Sequence, residues 1–232
     1  MTVTSLISHR SFLSEADIAS LTCCPCCYKQ MYPSWLKVVH QSVCRVIAKY
    51  YQLPVERRSC LRILELIGEQ WTKDTGLFES KKHYYKTLIT TTDHLMQFLQ
   101  ADRNIESPII LFEQIDTWIK EINVRLQLHL HVVSLTPDSF TLKKYVVYHH
   151  PIYIESLKHM ITLFCHHHLN GLAGNIEIIN LLEGKVTKFN IEQTQVRLSL
   201  DYIELIKNMK QEAFPLSMDQ RGFRRQNQPI RH

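Results

Sequence analysis

The segment from Val124 to Val147, VRLQLHLHVVSLTPDSFTLKKYVV, constrains the fold more than any other part of the chain. Val124, Leu126, Leu128, Leu130 and Val132 alternate with Arg125, Gln127, His129 and His131. That period of two belongs to a strand with one buried face. Thr136-Pro137-Asp138-Ser139 carries turn chemistry, and Phe140 to Val147 is rich in strand formers. A helix follows from Ile154 to Leu169, with Ile154, Leu157, Ile161, Phe164 and Cys165 on one face. The chain is therefore built around a hairpin that runs into a helix.

The first half reads as helical. Ser14-Glu15-Ala16-Asp17 resembles a capping box before a short helix carrying Ile18 and Leu21. Pro33 is a helix starter or break. Trp35 to Tyr51 is amphipathic, with Val39, Val43, Val46, Ile47 and Tyr50 inward, and Pro54 ends it. Leu61 to Trp71 reads as a helix whose stripe is Leu61, Leu64, Ile67 and Trp71. Lys81 to Gln100 is a long helix with Leu88, Thr91, Leu95, Phe98 and Leu99 inward. Ala101 to Ser107 is a polar connection. Beyond Pro108 two short strands are expected, Ile109 to Phe112 and Trp118 to Val124. After the hairpin and its helix, Ile176 to Leu182 and Lys185 to Asn190 pair around a Glu183-Gly184 turn, and Ile191 to Ala213 closes as a helix. The expected class is α+β in layers, one domain over 1–214 with a helical part at about 14–106 and a sheet-containing core at about 107–213.

The balance of 45% hydrophobic and 21% charged residues suits an ordinary globular protein and not a disordered one. No apolar run approaches the length of a membrane span, and MTVTSLISHRSFL lacks the pattern of a secretory signal. The seven cysteines are an odd number, which fits a reducing compartment better than a disulfide framework. A cytoplasmic location is the expectation. The net charge is +5, and the last twelve residues hold Arg221, Arg224, Arg225 and Arg231 without an acid, leaving the rest near +1. The basic character thus lies in residues 215–232, read as a disordered tail with a secondary claim to phosphate or acidic partners.

The spacing of Ser14, Ile18, Leu21, Cys24-Pro25 and Tyr28 resembles the opening of the RecB/AddB-type branch of the PD-(D/E)XK nuclease superfamily. The outline then follows in order: a helical histidine (His40), a helical insertion with an aromatic (Trp71), the hairpin, its helix, and a strand pair at Leu181-Leu182-Glu183-Gly184-Lys185. The resemblance covers the chain to about Met209. It implies a mixed central sheet flanked by helices, and a metal-dependent deoxyribonuclease whose Mg²⁺ is held by carboxylates.

The positions that would carry this chemistry are altered. The Asp of the family's Gly-x-x-Asp motif corresponds to His131, with Leu128 at the glycine. The acid and lysine of the second strand correspond to Lys144 and Val146, aligned on Tyr145. The Gln-x-x-x-Tyr of the next helix corresponds to Met160 and Phe164, and the glycine before the helical His is Leu36. Glu113 and His40 are the possible remnants. A hard dication needs anionic oxygen ligands. A lysine repels it, and a neutral imidazole suits it poorly. The resemblance therefore implies a degenerate nuclease with no resident metal, Mg²⁺ entering only if a shifted site at Glu113, Asp138 or His131 is active. The implied partners are DNA or another protein of a repair, recombination or defence complex, with no membrane.

Cys23-Cys24-Pro25-Cys26-Cys27 lacks the second cysteine pair that a structural zinc site uses. No cysteine follows Cys165, so the resembled branch's iron–sulfur cluster finds no ligands, and Cys24 is expected to be a buried thiol. His166-His167-His168 lies at a helix end, where neighbours point about 100° apart and do not converge on one ion. These histidines and His149-His150 are expected to be solvated. His129 and His131 share one strand face, expected to be a polar face packed under a helix.

Overall fold

The computed structural model of the chain describes residues 11–22, 33–105, 107–136, 139–147, 150–169 and 173–213. The tail arginines, the Cys23–Cys27 cluster, Tyr28, Asp138 and His149 lie outside them. The described residues form six α-helices and one six-stranded mixed sheet. The strands are β1 (Ser11–Ser14), β2 (Ile110–Ile119), β3 (Val124–Leu135), β4 (Ser139–Val146), β5 (Ala173–Asn180) and β6 (Lys185–Asn190). The helices are α1 (Glu15–Thr22), α2 (Ser34–Tyr51), α3 (Cys60–Gln70), α4 (Lys81–Ala101), α5 (Pro151–His168) and α6 (Gln193–Ala213). The α+β class expected from the sequence is what the chain adopts.

The expected hairpin is β3–β4. It is antiparallel, from Val132 opposite Lys143 to Leu135 opposite Phe140. Thr136 donates its backbone N–H to Ser139 O at 2.8 Å across the turn. Strand β4 pairs in parallel with β5, and β5 turns back into β6. The turn between them needs Gly184, whose φ is +66 and whose α-carbon faces the His94 ring. A side chain there would meet both backbone strain and that ring.

Three expectations about elements are corrected. The region before the hairpin is one ten-residue strand, β2, antiparallel to β3 from Ile110 opposite Val133 to Ile119 opposite Val124. Its centre, Glu113-Gln114-Ile115-Asp116, is too polar for the alternation to show, because this edge strand buries little there. The stripe of α3 is also different. Ile63, Leu66 and Ile67 are buried, while Leu61 and Leu64 point to solvent. The expected helical half began near Ser14, but β1 and α1 join the sheet layer. The capping box forms as expected: Ser14 Oγ accepts from Asp17 N at 3.1 Å, and Ser14 N donates to Asp17 at 2.9 Å.

The sheet has a core on each face. Helices α1, α5 and α6 cover one, burying Leu126, Leu128, Leu130, Leu142, Leu157 and Ile161. Helices α2, α3 and α4 cover the other with Val39, Val43, Ile47, Tyr50, Leu95 and Tyr145. Adjacent lysines of β4 serve the two sides. Lys143 pairs with the buried Asp102 at the end of α4, which also accepts from the Tyr51 hydroxyl. Nearby, the fully buried Arg58 donates to the carbonyls of Tyr51, Leu53 and Ile105. The Lys143–Asp102 pair ties the helical layer to the sheet, and the Arg58 bonds brace that layer internally.

Candidate functional site

Strand β3 has β2 along one edge. On its other edge β1 pairs only Val124 to Gln127, and β4 pairs only Val132 to Leu135. Residues 128–131 therefore face a fork between two strands. The polar backbone there must find partners other than a strand. Strand β1 ends at Ser14 opposite Gln127, so the next residue, Glu15 at the start of α1, arrives one step along, with its side chain in reach of His129. Glu15 Oε1 accepts the His129 N–H at 2.7 Å. From the other side, β4 leaves its ladder with β3 at Lys143, so Lys144 is the first residue past the last rung. Lys144 Nζ donates to His129 O at 2.6 Å and to both Glu15 oxygens at 2.7 and 2.9 Å. The ion pair thus replaces the missing rung, and the Lys144 side chain is 3% exposed.

His131 stands on the other side of the fork, under α2. It is 2% exposed. Tyr145 donates its backbone N–H to His131 Nδ1 at 3.1 Å. The ring stacks on Phe112, with centroids 4.9 Å apart, and tilts against His40, at 5.8 Å. Phe112, whose φ is 53, occupies a left-handed backbone conformation that a bulky residue rarely takes. Leu130 lies in one core and Val132 in the other, although alternate residues of an ideal strand share a face. The strand pair therefore switches its inward face at Phe112 and His131.

One turn further along α2 from His40 is Cys44, with Sγ 3.5 Å from His40 Nε2. Donor atoms of His40, Cys44 and His131 all lie within 4.8 Å of one another. These are zinc-type donors, but their protonation is set for another arrangement. The Tyr145 N–H occupies the Nδ1 lone pair of His131, which places the proton of the neutral ring on Nε2. A metal-binding histidine instead donates its second N–H to an acceptor. Burial pushes the Cys44 thiol up to about 12, away from the thiolate that ligates. Burial, then the Lys144 ammonium, lowers His40 to about 4 and His131 well below its ordinary value. Burial also lowers His129, with Glu15 acting in the opposite direction.

His40, His131 and Lys144, singled out in the sequence, thus converge. The other candidates do not join them. Glu113 is exposed on β2 opposite Leu130, and no hydrogen bond or ion pair links it to the fork. Val146 is buried in the sheet core, and Met160 and Phe164 are buried on α5 in that same core. The carboxylate that is present, Glu15, was legible only as part of a capping box, because its partner lies 129 residues away.

The histidine expectations are also refined. His129 is exposed and bonds to Gln114 Oε1 at 3.0 Å, so it shares no helix-covered face with His131. His168 is not merely solvated: its ring bonds Thr117 Oγ1 at 2.8 Å and stacks on Phe164. No protein-family model matches the chain, and no curated protein matches it.

Proposed function

We propose that the chain is a nuclease-like scaffold that has exchanged its metal site for an internal ion pair, and that it acts by binding nucleic acid or a partner rather than by cutting. The observation that carries this reading is Lys144. A buried ammonium, neutralised by Glu15 and bonded to the backbone of β3, fills the strand fork beside His40 and His131. In the resembled nucleases this neighbourhood belongs to a carboxylate-held dication. Here a fixed monocation supplies the positive charge. A Mg²⁺ ion entering beside it would meet an ammonium and neutral imidazoles, with one carboxylate already engaged. Without the metal there is no activated water and no stabilised phosphorane charge.

Purified chain incubated with single- and double-stranded DNA and Mg²⁺ or Mn²⁺ is expected to leave both intact. Cleavage that disappears on changing His131, Glu113 or Glu15 would overturn this and establish the alternative of an active nuclease with a shifted site. Within the proposal, a protein-docking role without nucleic acid is favoured by charge. Outside the last twelve residues the net charge is near +1, and the open face of β2–β3 carries Asp116 tied to Arg125 and Gln127 rather than free cations. Gel shifts at rising salt separate the two roles, because phosphate contacts weaken with salt. A shift that salt abolishes means DNA binding, and no shift at low salt means partner docking alone.

A further inference from the structure

Helices α3 and α4 run antiparallel. Cys60 Sγ donates to Gln100 Oε1 at 3.2 Å near one end of the pair, and Tyr84 Oη donates to Thr72 O at 2.9 Å at the other. Helical periodicity places Leu61, Leu64 and Gly68 on the flank of α3 that also carries Cys60, toward α4. It places Tyr85 and Ile89 on the flank of α4 that also carries Gln100, toward α3. The opposite flank of α3 is occupied: Glu69 pairs with Lys49 of α2, and Arg62 with Glu65. The α3–α4 flank is open. Leu61 is 67% exposed, Leu64 44%, Tyr85 55% and Ile89 66%. From the level of Leu61 to that of Tyr85 this apolar seam runs about 16 Å, or three helical turns.

Three local rules are broken in this one place, and nothing among the described residues compensates. Apolar side chains lie in water. Gly68 interrupts a helix, although a β-carbon there would meet nothing within 4 Å, so the fold itself does not require glycine. Lys81 and Lys82 open α4, whose first turn holds no acid, against the preference of a helix N-terminus for negative charge. With Lys86 they are exposed, and no acid among the described residues pairs with them. Such concentrated violations mark functional surface.

We infer that the α3–α4 seam is a docking groove for an acidic amphipathic helix of a partner protein. Two antiparallel helices present a groove that a third helix fills with anchors at i, i+3/i+4 and i+7. Gly68 lets that helix approach the α3 backbone. The partner's carboxylates meet Lys81, Lys82 and Lys86 at the end of the seam near Tyr85. Nucleic acid has no use for Leu61, Leu64 and Ile89. A second copy of this chain brings Asp93 as the sole acid of its α4 against those three lysines. The inference does not depend on the degenerate-nuclease reading, so DNA cleavage would overturn that reading and leave this one standing.

The test uses the full chain and a fluorescein-labelled synthetic peptide of about four helical turns, with leucines along one face and glutamates on the other. Fluorescence anisotropy is expected to show saturable binding. It should weaken about tenfold or more in Leu64→Asp/Ile89→Asp, and similarly in Lys81→Glu/Lys82→Glu/Lys86→Glu, while circular dichroism and melting stay those of the wild type. Equal affinity for a control peptide with lysine in place of glutamate would overturn the inference without requiring any variant. So would undiminished binding by the apolar double variant. Sedimentation as a dimer that the same substitutions dissociate would assign the seam to a second copy instead. Lysine-dependent binding to phosphatidylserine–phosphatidylcholine vesicles, with no peptide binding, would assign it to a membrane surface.

Discussion

The strand fork and the α3–α4 seam treat charge and apolar surface in opposite ways. At the fork a lysine is buried, and each group around it is answered: Glu15 takes its charge, and together they take both backbone groups of His129. At the seam three lysines stand in water, paired with no acid among the described residues, beside leucines that the core does not use. The fork is thus complete among the described residues, whereas nothing among them covers the seam. The fork holds satisfied charges, and the seam holds groups unmatched among the described residues.

The largest effect is expected from breaking the fork. Glu15→Ala leaves the Lys144 ammonium buried beside an unpaired backbone N–H, and denaturant unfolding should show a loss of about 3–5 kcal/mol. Glu15→Leu combined with Lys144→Met removes both charges. That double variant should recover part of the loss yet stay about 1–3 kcal/mol below wild type, because His129 N and O then lack partners. Full recovery would mean that the ion pair does not replace a strand rung.

Next in size is the dependence on pH. His40 and His131 are held neutral by burial and by Lys144, with folded values below the ordinary 6.5. Their contribution is complete above the unfolded value. It is lost as pH falls, because the unfolded chain takes up protons that the folded chain refuses. Stability should therefore decline between about pH 6.5 and pH 4, by up to about 1.4 kcal/mol per pH unit for each histidine. Melting curves across that range check it, and His40→Gln should flatten the slope. An unchanged slope would place the titrating groups elsewhere.

The seam should respond to the same measurements in the opposite sense. Gly68→Ala is expected to stabilise the free chain by about 0.5–1 kcal/mol, since the added methyl meets nothing and the helix gains propensity. Leu64→Asp should change stability by no more than about 0.5 kcal/mol, as an exposed position does. A large loss on Leu64→Asp would make the seam part of the core and erase the contrast with the fork.

The sequence made the hairpin legible because half of β3 is buried on one face only, which writes the alternation into Val124 to Leu130. It hid β2, an edge strand whose centre exposes Glu113, Gln114 and Asp116 and sets only Ile115 against the core. It misled at α3, where Leu61 and Leu64 have helical spacing as regular as that of Ile63 and Ile67. Periodicity reveals an apolar stripe but not whether this chain or another covers it. Placing His131 and Lys144 at one site was possible because both lie on the hairpin, joined by a short turn. Glu15 was not, because the topology that inserts β1 beside β3 is not written in local sequence.

Lys144 and Glu15 fill the fork as an ion pair, in the place that the proposed function assigns to a lost metal. Titration of the full chain with Mn²⁺, followed by paramagnetic broadening of histidine ring resonances, tests that assignment directly. No saturable effect on His40, His129 or His131 is expected. Saturable broadening of His131 that is lost in Glu15→Ala would contradict it and return the fork to the metal-binding sites.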